Sequence, residues 1–78
     1  MPRRAINPMP DDVYEALVAA GVLHDYEARP HYQRNDYLGW IGRAQRPDTR
    51  RKRIRQMLDE LDQGGVYMKM DHPSSRKA

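Results

Sequence analysis

Three prolines divide this chain before any other signal is considered. Pro10, Pro30 and Pro47 each open a segment whose apolar residues recur at helical spacing. Proline fixes its own φ, lacks a backbone donor and pushes the preceding residue out of helical geometry, so a helix can begin at each of these points but cannot run through them. After Pro10, Val13, Leu17 and Ala20 share a face, Asp11 and Asp12 complement the helix dipole, and Gly21 is a stop. This predicts a helix over about 10–20. Leu23 and Tyr26 share a face across one short turn. After Pro30, Tyr37, Trp40, Ile41 and Ala44 follow the i, i+3, i+4, i+7 pattern, predicting a helix over about 30–44. After Pro47, Ile54, Met57, Leu58 and Leu61 repeat it until Gly64-Gly65, predicting a third helix over about 47–63.

The expected fold is therefore all-α: a small three-helix bundle, with a short helical turn at 22–28 as a fourth element in the alternative reading. Residues 1–8, with Pro2, Arg3 and Arg4, read as a flexible N-terminal arm. Residues 9–65 form the helical domain. Residues 66–78 read as a flexible basic tail, since Asp71-His72-Pro73-Ser74-Ser75-Arg76-Lys77-Ala78 has no periodicity. Trp40, Ile41, Ile54, Leu58 and Leu61 are expected to share one core.

At 78 residues the chain makes one domain with a thin core, which leaves little room for an enclosed active site. There is no cysteine, hence no disulfide framework and no thiolate metal site. Without disulfides or an apolar run of membrane-spanning length, and with no apolar segment after the basic N-terminus, the expected location is the cytoplasm. His24, His31 and His72 lack metal-ligand spacing. Ser74 and Ser75, the only serines, stand in the tail. Asp11-Asp12 and Asp59-Glu60 occupy polar helix positions with no cleft to perturb them. The chain is therefore expected to be neither an enzyme nor a holder of metal or cofactor.

The positive charge is local. Arg43, Arg46, Arg50, Arg51, Lys52, Arg53 and Arg55 crowd into thirteen positions opposed only by Asp48, although the net charge is only +3. Around the turn at Pro47, Arg46, Thr49, Arg50 and Arg53 approach the amide end of the last helix, where free N–H groups attract anions, and Tyr37 and Trp40 stand on the helix before it. These six residues are the candidate site for an acidic protein or another anion, held by a monomer. A second reading is nucleic-acid binding through the basic helix 46–55; Asp59, Glu60 and Asp62 further along oppose it. A structural alternative exists for each residue: Trp40 in the core, Arg50 and Arg53 paired with Asp36 or Glu60, Asp48 and Thr49 capping the helix, Lys52 and Arg55 merely solvated.

The run from Tyr37 to Ile54 also resembles a known family. The pattern Tyr37-x-x-Trp40-Ile41-x-x-Ala44-Gln45-x-Pro47-Asp48-Thr49-Arg50-x-x-Arg53-Ile54 is similar to the signature of the YdeI/OmpD-associated family, which has Lys at the position of Gln45 and usually Glu at that of Asp48. Upstream, Pro10, Leu17, Tyr26 and Pro30 extend the resemblance, which covers about residues 9–65. It implies a helical domain and a part in bacteriocin or antimicrobial-peptide protection, or in envelope stress. It names no reaction.

Overall fold

In the computed structural model, which describes residues 6–72, helices start at the prolines. Helix α1 spans Asp11–Ala19, α2 Leu23–Glu27, α3 His31–Gly42 and α4 Pro47–Gln63; two short strands follow, β1 at Val66–Tyr67 and β2 at Met70–Asp71. Pro10 and Pro30 are the N-caps of α1 and α3, and Pro47 is the first residue of α4. Helix α1 ends on Gly21 at φ 71°, with Val22 N donating to the Leu17 carbonyl and Gly21 N to that of Val18. That paired closure needs a left-handed residue, which glycine supplies without a Cβ penalty. The same closure turns Val22 into the core.

The core is built from Val13 and Leu17 of α1, Val22, Tyr26 of α2, Tyr37, Leu38 and Ile41 of α3, and Met57 and Leu61 of α4. Ile41 and Leu61 belong to this core as expected, whereas Trp40, Ile54 and Leu58, expected to share it, are only partly buried and pack against it. Helix α3 is enclosed on more than one side: Gln33, Asn35 and Gly39 are buried as well as its apolar residues. Asn7 accounts for one of those sides. Its backbone N–H and side-chain amide both donate to the Asn35 Oδ1, at 2.8 and 3.1 Å, which ties the segment before α1 to α3.

The all-α three-helix expectation is corrected on two points. Among the described residues there are four helices, the short α2 being a real element, and the chain after α4 forms an antiparallel hairpin in which Val66 faces Asp71 and Tyr67 faces Met70. The residues read as the start of a flexible tail are therefore structured as far as His72. Residues 1–5 of the arm and 73–78 of the tail lie outside the described residues. The hairpin was hidden because its turn carries no glycine or asparagine. Met68 and Lys69 adopt φ of 50° and 64°, a left-handed pair that ordinarily selects Asn-Gly.

An acceptor outside the hairpin holds this turn. The Glu60 carboxylate receives Met68 N on Oε1 and Lys69 N on Oε2, both at 2.8 Å. It also receives the Tyr37 hydroxyl at 2.5 Å and Gln56 Nε2 at 3.1 Å. Glu60 is only 5% exposed, so four donors replace its lost water. Burial, and then the bond to Glu60, pushes the Tyr37 phenol well above its ordinary value. Arg29, also buried, joins the same region by donating to the Gln33 Oε1 and the Glu60 backbone carbonyl. Tyr67 completes the attachment, its ring edge-on to Tyr37 with centroids 5.4 Å apart and its hydroxyl donating to Asp36 at 2.7 Å. His72 lies against Gln33 and the Tyr32 hydroxyl.

Candidate functional site

The arginine-rich end of α4 separates into cations that hold the fold together and cations that face solvent. Helical geometry decides which are which, because residues on the flanks of the Ile54–Met57–Leu58–Leu61 stripe meet α1 or α3 and those opposite meet nothing.

Arg50 and Arg53 are on the flanks. Arg50 forms a two-point ion pair with Asp12 in the first turn of α1, Nε to Oδ2 and Nη2 to Oδ1, each 2.9 Å. The guanidinium holds the Asp12 carboxyl below the usual carboxylate range, and the carboxylate raises Arg50 in return. Arg53 donates to the Trp40 carbonyl at 2.6 Å, and its guanidinium carbon lies 5.3 Å from the Trp40 ring centroid. A cation at the last turn of α3 meets the negative end of that helix and the face of an indole together. Both arginines thus have partners within the chain, though not the Asp36 or Glu60 that sequence considerations suggested. Asp36 receives Tyr67 instead, and Glu60 receives Tyr37, Gln56 and the hairpin turn.

The remaining members of the expected cluster are placed differently. Tyr37 is fully buried and cannot line a surface site. Trp40 is half-buried beneath Arg53. Thr49 is half-buried on α4 and makes no cap, since the N-cap is the extended Arg46 and no side chain caps this helix. Arg46 is exposed at that cap. Of the six residues, then, Tyr37 lies in the core, Arg50 and Arg53 are engaged with Asp12 and Trp40, and Arg46 stands exposed at the helix cap.

The solvent-facing cations follow another stripe. Asp48, Arg51, Lys52 and Arg55 recur at i, i+3, i+4, i+7, and all are exposed. Arg51 is paired with Asp48. Lys52 and Arg55 have no carboxylate within ion-pair distance among the described residues. They are shared by two adjoining shallow hollows: one of about 350 Å³ with Asp48 and Arg51 on its wall, and one of about 390 Å³ bordered also by Gln56, Asp59, Glu60, Gln63, Val66 and Lys69. The hairpin thus adds Lys69, a third cation that no reading of α4 alone could supply. Further along, the exposed Asp59 closes the stripe, so its cationic part, Arg51 to Arg55, is only about one turn long.

Among the described residues no group of three or more His, Asp or Glu side chains is gathered as a metal site would need, and no helix is long and apolar enough to cross a membrane.

A family model described as bacteriocin-protection, YdeI or OmpD-associated matches residues 8–64. The chain belongs to this family. The matched span begins beside the Asn7–Asn35 contact and ends at Gly64, so in this family member it contains all four helices, the Asp12–Arg50 clamp and the whole cationic stripe, while the hairpin lies beyond it. No curated protein and no solved structure matches the chain.

Proposed function

We propose that this protein is a non-enzymatic, cytoplasmic interaction module, monomeric on its own, that takes part in bacteriocin or antimicrobial-peptide protection, or in the envelope-stress response, by binding an acidic partner protein. The family name supports the protective role. The binding mode rests on one observation: Lys52 and Arg55 stand exposed on neighbouring hollows of α4 without ion partners among the described residues, whereas Arg50 and Arg53 are engaged. Unpaired cations on a rigid helix are arranged to steer and hold an anionic surface. Arg46 at the helix cap and Lys69 on the hairpin extend the same field.

An acidic protein is favoured over nucleic acid by the length of the patch. About one turn of helix, Arg51 to Arg55, spans roughly 6 Å, and Asp59 then reverses the sign. A duplex offers phosphates over a longer track and would meet that carboxylate. Fluorescence anisotropy decides between the two, with labelled octaglutamate and a labelled random duplex titrated across a salt series. The proposal expects saturable octaglutamate binding that weakens in Lys52→Gln/Arg55→Gln. Duplex binding that is tighter than octaglutamate binding at every salt concentration would overturn it in favour of a nucleic-acid ligand.

A further inference from the structure

A third hollow lies on the far side of α3 from the hairpin. It has a volume of about 260 Å³, and its wall mixes Met9, Tyr26 and Leu38 with His31, Arg34 and Asn35. Arg34 sets it apart. Its guanidinium makes no hydrogen bond or ion pair among the described residues, and its Nε is buried with its donor unmet. A buried donor without an acceptor is costly, and a guanidinium stripped of part of its water attracts an anion more strongly than a solvated one. The Arg34 charge is felt in the hollow: burial pushes the Tyr26 phenol up, and Arg34 pulls it the other way. His31, at the first turn of α3, adds a second hydrogen-bonding side chain to the same wall. Beside these groups the surface is apolar, with Met9 packed on the core and Leu38 part of it.

We propose that this hollow binds a small monocarboxylate bearing a short apolar chain, the carboxylate seated on the Arg34 guanidinium and the chain lying against Met9, Tyr26 and Leu38. One unpaired guanidinium suits one negative charge, and carboxylate geometry matches its paired donors. The volume is below that of a drug-sized pocket, which limits the ligand to a fragment of several heavy atoms. The site shares no residue with the Lys52/Arg55 surface and is independent of the function proposed for it.

The test uses hexanoate as the probe and follows backbone amide shifts by NMR on the unaltered chain. Binding on the order of millimolar is expected, with shifts concentrated at Met9, Tyr26, Arg34 and Leu38. Hexanol lacks the charge and acetate lacks the chain, so each should bind at least about tenfold more weakly. Arg34→Gln, checked for an unchanged helical circular dichroism spectrum, should weaken hexanoate by about tenfold or more, whereas Lys52→Gln/Arg55→Gln should leave it unchanged. Hexanol binding as tightly as hexanoate overturns the role of the guanidinium, and acetate binding as tightly overturns that of the apolar wall. These two arms need no variant. Hexanoate shifts confined to α4 residues 51–56, or absent altogether, overturn the site itself.

Discussion

Replacing Glu60 by glutamine changes one oxygen to an amide nitrogen and should destabilise the domain far more than its position on a polar-looking helix suggests. The carboxylate accepts four hydrogen bonds: Tyr37 and Met68 N on one oxygen, Gln56 and Lys69 N on the other. A glutamine keeps one acceptor and places an NH2 where the second oxygen stood. If its oxygen stays with Tyr37 and Met68, the NH2 confronts the Lys69 N–H; if the amide flips, it confronts that of Met68. Gln56 can turn its own amide over to accept, but a backbone N–H cannot. One turn amide therefore loses its partner in either orientation, at about 1–3 kcal/mol, and the surviving bonds lose their charge assistance. Relief of carboxylate desolvation works the other way but is smaller than the loss of a fully satisfied network. A net cost of about 2–3 kcal/mol is expected, a large share of the roughly 4–12 kcal/mol available to a domain of this size. It corresponds to a fall in melting midpoint of about 10–20 °C. Urea titration followed by circular dichroism and by the fluorescence of Trp40, the one tryptophan, measures it. Asp59→Asn, one position away and exposed, is the control and should stay within about 0.5 kcal/mol of the parent. If Glu60→Gln also stays within about that margin, the carboxylate is not what holds the hairpin to α4.

Three other outcomes follow from the same packing. Tyr37 is raised in the folded state, so its contribution is complete below the ordinary tyrosine value of about 10 and is lost as pH climbs from there toward the raised value; urea midpoints should fall above about pH 10, and less steeply in Tyr37→Phe. Gly42→Ala should raise stability by about 0.5–1 kcal/mol, because a Cβ at this last residue of α3 meets nothing within 4 Å, whereas at Gly39 it would meet the Asn7 amide at 3.0 Å and Arg43 at 3.2 Å; Gly39→Ala should therefore gain nothing in thermal melts and loosen the Asn7–Asn35 link in amide exchange. Lys69→Gly should also stabilise the domain, by about 0.5–1 kcal/mol, since Lys69 holds a φ of 64° that glycine adopts freely.

Backbone punctuation made much of this architecture legible in the residues. Proline at 10, 30 and 47 and glycine at 21 and 64 act locally, so the limits they set on α1, α3 and α4 can be read without knowing what packs where. The apolar stripe of α4 was likewise visible, although Met57 and Leu61 lie deeper than Ile54 and Leu58. What could not be read depends on contacts distant in the chain. Glu60 looks like any surface carboxylate until the hairpin folds back and supplies two amides. The turn at Met68-Lys69 lacks the residues that normally announce it, because a side chain eight residues earlier compensates for its unusual backbone. Arg50 read as an anion-site residue because its partner, Asp12, stands thirty-eight positions away. Tyr37 stood both on the apolar stripe of its helix and beside the candidate site, because periodicity gives a face and not a depth; it is fully buried. The division of the cations was partly legible, with Arg50 and Arg53 as candidates for pairing and Lys52 and Arg55 for solvation, but the partners themselves, Asp12 and the Trp40 carbonyl, appear only once α1 and α3 are in place.

The central claim is that the arginines of α4 divide by role, and a crossed comparison of two double variants tests it most directly. Each is measured for both urea midpoint and affinity for octaglutamate. Arg50→Gln/Arg53→Gln removes the Asp12 clamp and the Trp40 contact, so its midpoint should fall while its affinity changes little. Lys52→Gln/Arg55→Gln removes cations that have no ion partners among the described residues, so its affinity should fall by about tenfold or more while its midpoint is unchanged. The reverse pattern, with affinity lost in the first variant and kept in the second, would contradict the account and return the binding site to the turn at Pro47.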